Sequence, residues 1–107
     1  MPQHTVQRLY DEVLSRRGAD PRASRTAKLF AAGRNKMAQK LGEEAIEVAI
    51  DAARNNRDAV IAESADLVYH LVVLWAEMGI TPKDVWAEMA RRERTYGIAE
   101  KVPKAAA

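Results

Sequence analysis

Cysteine is absent from all 107 residues, which excludes disulfide bridges, thiolate chemistry and cysteine-ligated zinc together. Runs of one charge are absent as well. The 17 basic and 15 acidic residues are interspersed without a block of five like charges, so neither a nucleic-acid tail nor a polybasic membrane anchor is indicated. The formal charge of +2 is a small excess rather than a basic face. Between Asp66 and Glu77 runs an uncharged apolar stretch. It falls short of the roughly 20 residues that a bilayer span requires. The start, Met1 to Arg8, lacks the apolar centre of a secretory signal, and cytoplasm is the expected compartment. No stretch alternates with the period of a strand, and there is no internal repeat. The partners left by these exclusions are small molecules and further copies of the chain, with no membrane and no nucleic-acid polymer.

What is present is ordinary for a folded domain: 48% of the residues are apolar and 30% charged. One domain over residues 1–97 with a C-terminal tail at 98–107 is the simplest division. A chain this short gains further burial by association. Thr5 can cap a first helix in which Val6, Leu9, Tyr10, Val13 and Leu14 form one apolar stripe, stopped by Gly18 and Pro21. A short helix follows from about Ser24 to Ala32, with Leu29 and Phe30 buried and Gly33 as terminator. Asn35 is the expected cap of a third helix running to the Asn55-Asn56 break. A fourth spans Ala59 to Ala76, and its apolar residues surround the axis, as in the central helix of a bundle. Gly79 ends it. Thr81-Pro82-Lys83-Asp84 then opens a last helix, with Thr81 as cap, Pro82 at the first helical position and Asp84 where a capping box has Glu. Val85, Trp86, Met89 and Ala90 form its apolar side, and Gly97 is its expected stop. The fold class is all-α, a small bundle of four to five helices completed by dimerisation.

The chemistry lies in the acids of the third and fourth helices. Glu43, Glu44 and Glu47 share a stripe with Lys36, Lys40 and Asp51, and like charges at i+3 and i+4 cost stability unless something positive joins them. On the next helix Glu63 and Asp66 are the only charged side chains from Ala59 to Ala76. Acids on such a helix are expensive to bury unless paired or metal-bound. If the two helices pack antiparallel, the pairs meet, and carboxylates converging there cannot all stay ionised without a cation. A divalent metal site is the reading. Charges on a solvated face are the plainer alternative.

The segments Lys40-Leu41-Gly42-Glu43-Glu44-Ala45-Ile46-Glu47-Val48 and Glu63-Ser64-Ala65-Asp66-Leu67-Val68-Tyr69-His70-Leu71 closely resemble the phosphoribosyl-ATP pyrophosphohydrolase family of histidine biosynthesis, within the all-α MazG-like superfamily. The resemblance spans about Ser24 to Arg92. It implies Mg²⁺-dependent hydrolysis of the α–β phosphate link of phosphoribosyl-ATP to phosphoribosyl-AMP and pyrophosphate. It further implies that Glu44, Glu47, Glu63 and Asp66 ligate the metal, and that Glu43 is an extra ligand or the base that orients water. It implies a homodimer in which both chains contribute to each site. Mg²⁺ suits an all-carboxylate cluster better than zinc does. Lys40 is the first candidate for the substrate phosphates, followed by Arg34, Lys36 and the Ser24 and Thr26 hydroxyls.

Arg25 stands where the family commonly has Tyr, and it either adds a phosphate contact or marks a shifted substrate. His70 reads as a hydrogen-bonded core or interface residue, because Mg²⁺ prefers oxygen. Trp75 and Trp86 read as packing. Gly42 inside a helix suggests close approach by a neighbouring helix or a ligand. The nearest alternative function is a housecleaning pyrophosphohydrolase of nucleoside triphosphates with the same carboxylate site. From another class, the rival is a non-catalytic helical dimerisation module.

Overall fold

A computed structural model describes residues 2–95. It contains five helices: α1 (Pro2–Ser15), α2 (Arg25–Ala32), α3 (Arg34–Ala53), α4 (Arg57–Glu77) and α5 (Pro82–Thr95). Among the described residues there is no strand, and the fold is the all-α bundle expected. Gly97 and the tail at 98–107 lie outside the described residues.

The α3–α4 hairpin is the frame. Its turn is short because Asn55 takes a positive φ of 56°, which Asn tolerates better than most residues, and the Asn56 side chain then accepts from the Ala59 N–H at 3.2 Å to cap α4. A connection this short returns α4 antiparallel along α3. α1 packs on α4, α2 packs on α3 and touches α4, and α5 packs on α1. The core sits where the start of α3 meets the end of α4: Met37, Val72, Val73 and Ala76 close against Tyr10 and Val13 from α1 and Leu29 from α2. Trp75 and Trp86 meet edge to face with centroids 6.3 Å apart, which is the packing role expected.

Several caps follow the sequence. Ser24 Oγ accepts from the Ala27 N–H at 3.1 Å, and Thr81 and Asp84 exchange bonds of 3.2 and 2.9 Å in a reciprocal box. Two expected starts are displaced. α1 begins at Pro2, a residue suited to the first helical position, so Thr5 lies inside the helix with its Oγ1 accepting from Arg8 at 3.3 Å. α3 begins at Arg34, because the Gly33 carbonyl already accepts from the Met37 N–H at 3.1 Å, and Asn35 falls within the first turn. Gly33 supplies the corner through its φ of 98°.

α4 is long and apolar enough to cross a membrane by length and composition alone. Its C-terminal half is instead the bundle's centre, with His70, Val72, Val73 and Ala76 buried. Toward the hairpin turn the apolar surface is open: Ile46, Ile50 and Ile61 are 61, 45 and 53% exposed. Among the described residues a Cβ on Gly42 would meet nothing within 4 Å, so none of the other four helices approaches it closely. The close approach of a neighbouring helix expected at Gly42 is therefore not made among the described residues.

Candidate metal and nucleotide site

Antiparallel packing brings acids from α3 and α4 to one point. A carboxylate oxygen from each of Glu44, Glu63 and Asp66 lies within 4.8 Å of the others. Glu44 is 12% exposed at its side chain, and both Glu44 Oε2 and Glu63 Oε2 are buried with no hydrogen-bond partner among the described residues. Buried carboxylate oxygens are costly to leave so. The electrostatics carry the same signal. The Glu63 carboxyl is pushed up to about 7, first because its proton can be shared with Glu44, then with Glu47, with burial and like charge behind. A proton is the smallest cation that relieves the cluster, and a divalent ion with oxygen preference suits the same donor set. The three carboxylates thus fit such an ion.

The two neighbours on α3 behave differently. Glu47 stands beside Glu63, as its influence on that carboxyl shows, but contributes no oxygen to the 4.8 Å group. Glu43 turns to the next flank. Its Oε2 accepts from Gln39 at 3.1 Å and its Oε1 lies 3.6 Å from Lys40 Nζ, and the Gln39 bond first, with help from Lys40, holds it below the usual carboxylate range.

Across the cluster from Glu63, His70 is buried with only 1% of its side chain exposed. Its Nε2 is 4.0 Å from Glu44 Oε1 and 3.1 Å from Arg25 Nη2. A guanidinium only donates, so Nε2 accepts and the imidazole proton sits on Nδ1. Burial first, then the Arg25 charge, keeps the His70 pKa below its ordinary value. His70 is the hydrogen-bonded core residue that its position on α4 implied.

Arg25 and His70 also form the edge of a cavity of about 260 Å³, whose remaining wall includes Lys28, Lys36 and Lys40. Four cationic side chains thus surround a hollow that adjoins the carboxylates. Such a hollow can take the oxygens of a polyphosphate. Beside it, a more open shelf of about 440 Å³ at the start of α2 is lined by Arg22, Ser24, Arg25 and Lys28.

Lys36 and Lys40 reach this cavity. Ser24 lies at the shelf, where its hydroxyl is engaged as the α2 cap. Thr26 is buried and its Oγ1 is 2.6 Å from the Tyr69 hydroxyl, a contact that fixes the tyrosine. Arg34 is carried away from the cluster. Its Nη2 is 3.9 Å from Glu77, eleven residues beyond Asp66 and so about 16 Å along the α4 axis. The sequence reading missed Lys28. Its signal was one helical turn from Arg25 on the same face of α2, legible only once α2 is known to border α3.

Comparisons with known proteins add a family. The family model described as phosphoribosyl-ATP pyrophosphohydrolase matches residues 6–93. The chain is 63% identical over 100 residues to "Phosphoribosyl-ATP pyrophosphatase 2" of Rhodopseudomonas palustris, covering 94% of this chain and 76% of the relative. It is 60% identical over 102 residues to the protein of the same name in Bradyrhizobium diazoefficiens, covering 95% and 76%. With "Phosphoribosyl-ATP pyrophosphatase" of Gluconobacter oxydans it shares 58% over 99 residues, covering 92% and 74%.

Proposed function

Because the chain belongs to the phosphoribosyl-ATP pyrophosphohydrolase family, we propose that it hydrolyses phosphoribosyl-ATP to phosphoribosyl-AMP and pyrophosphate, a step of histidine biosynthesis, with Mg²⁺ as its metal. The observation that carries this reading is the Glu44, Glu63 and Asp66 trio, with two orphaned oxygens, set against a hollow walled by cations. Water adds to phosphorus at the α–β link, the bridging P–O bond breaks, and a proton is released as pyrophosphate departs. Glu44, Glu63 and Asp66 would hold the ion, with Glu47 as a further ligand beside Glu63. Mg²⁺ bound there supplies positive charge at the phosphoryl centre and acidity for the attacking water. Lys28, Lys36, Lys40 and Arg25 bind the phosphate oxygens and fix the substrate's orientation. Glu43, one residue from Glu44 and paired with Lys40, orients that lysine and through it the anionic chain.

The active unit is a homodimer in the cytoplasm. Gly42, Ile46 and Ile50 recur every four residues along α3, and all three are exposed; Ile61 and Val68 are open on α4. A second copy of the hairpin covers such a face more readily than water does.

The deciding measurement is pyrophosphate release from phosphoribosyl-ATP, with ATP, dCTP and dUTP alongside, with and without Mg²⁺. Mg²⁺-dependent turnover of phosphoribosyl-ATP alone is expected. Turnover of the free triphosphates instead would move the chain to nucleotide-pool housekeeping. Without phosphate release from any of them, and without a rise in melting temperature with Mg²⁺, the catalytic reading fails in favour of a dimerisation module.

A further inference from the structure

Arg25 occupies the boundary between the carboxylates and the cationic hollow. Its Nη2 lies 4.0 Å from Asp66 Oδ1 and 3.1 Å from His70 Nε2, while its guanidinium carbon stands 4.5 Å above the centre of the Tyr69 ring. That ring is itself pinned, since the Tyr69 hydroxyl is 2.6 Å from Thr26 Oγ1 on α2. The guanidinium therefore rests over a fixed aromatic platform that attracts its charge without occupying its N–H donors. Its side chain is 60% exposed, and it lines both the hollow and the shelf. Five donors in a planar fork exceed what His70 and Asp66 use.

We propose that Arg25 is a shared guanidinium that serves as counter-cation to Asp66 in the empty site and transfers to a substrate phosphate when the metal takes Asp66, so that metal and polyphosphate bind cooperatively. The inference rests on the metal and nucleotide reading of the same residues. Two cations cannot both draw full attraction from one carboxylate at about 4 Å, because they repel each other across it. Metal arriving alone therefore meets resistance from Arg25. An anion in the hollow removes that resistance by giving the fork bidentate oxygens, a geometry that guanidinium matches better than ammonium. Lys28, Lys36 and Lys40 can add charge to the hollow, but none is placed against Asp66, so the coupling belongs to Arg25.

The test is calorimetric titration of the full chain and of Arg25→Gln and Arg25→Lys with Mg²⁺ alone, and with inorganic pyrophosphate at saturating Mg²⁺. Arg25→Gln is expected to bind Mg²⁺ alone about tenfold more tightly, because a neighbouring like charge is gone. It is expected to bind pyrophosphate about tenfold more weakly, because a charged hydrogen-bond partner is gone. Arg25→Lys, which keeps the charge without the fork, should retain the wild-type Mg²⁺ affinity and lose part of the pyrophosphate affinity. Opposite signs are the signature, since a structural lesion weakens both. Parallel losses, or no change in either titration, overturn the proposal. If the unaltered chain takes up no Mg²⁺ even with pyrophosphate, the site reading itself fails, a result separable from failure of the Arg25 inference.

Discussion

At the C-terminal end of α4, Glu77 receives Arg17 at 3.3 Å and Arg34 at 3.9 Å, and the same Arg17 donates to the Ala76 carbonyl at 3.2 Å and lies 4.7 Å over the Phe30 ring. Earlier on the same helix, Glu63 and Asp66 face Glu44, and two of the oxygens there have no hydrogen-bond donor among the described residues. Glu88 has arginine company too, within its own helix α5: bonds from Arg91 first and Arg92 second hold its carboxyl down to about 2, while acid company pushes Glu63 up to about 7. The chain has arginines to spend on structural glutamates. It sets acids against acids in the middle of the α3–α4 hairpin. The contrast separates an acid that staples helices from one that waits for a cation.

The largest test of that contrast is turnover. Glu63→Gln and Glu47→Gln, each made singly, should lower pyrophosphate release by more than about a hundredfold, beyond what loss of an outer partner of a metal ligand costs. Helicity by circular dichroism should be unchanged. Wild-type rate in either variant would remove that residue from the site.

Next in size is the response to pH and metal. Glu63 binds its proton more tightly in the fold, at about 7, than at its ordinary value of 4.5. Between those values the native state holds more protons than the unfolded chain, so stability falls as pH rises. This contribution is fully present below about 4.5 and lost through about 7. Mg²⁺ competes with that proton, so its gain in melting temperature should be larger at pH 8 than at pH 5.5. Thermal melts with and without the ion, at both pH values, check this. An equal gain at both would place the ion elsewhere.

Much of this frame was legible because its signals are local. Ser24, the Asn55-Asn56 break and the Thr81–Asp84 box mark helix ends through bonds within three residues. Acids three apart on successive helices share faces by geometry alone. Other features needed the tertiary arrangement. Glu43 and Glu44 are adjacent and about 100° apart around α3, so only the seating of α4 decides which of them enters the cluster. Arg34 precedes Lys36 by two positions, about 200° around α3, so it faces Glu77 while Lys36 reaches the hollow. Thr5 and Asn35 are competent caps that lost to starts at Pro2 and Arg34, because a helix can begin wherever its first carbonyl finds a donor. The exposure of Ile61 was hidden for the reverse reason: α4 looks uniformly buried from its composition, but its buried residues, His70, Val72, Val73 and Ala76, all lie in its C-terminal half.

The smallest expected effect probes the stapled end. Glu77 is only 27% exposed at its side chain and anchors Arg17 and Arg34, which tie the loop after α1 and the start of α3 to the end of α4. Its arginine partners are about half exposed, ion pairs to such partners contribute little, and Glu77→Gln should cost about 1 kcal/mol or less. For a domain of this size that corresponds to a fall of about 4–8 °C at most in the melting temperature. The Arg17 bond to the Ala76 carbonyl and its stacking on Phe30 do not require Glu77 and should survive the change. Turnover should stay at the wild-type level, since Glu77 sits some 16 Å along the helix from Asp66. Melting curves and pyrophosphate release on the same preparation decide it. A variant that melts normally but turns over slowly would show that the guanidiniums at Glu77 serve the reaction, and the division of α4 into a stapled end and a cation-seeking middle would collapse.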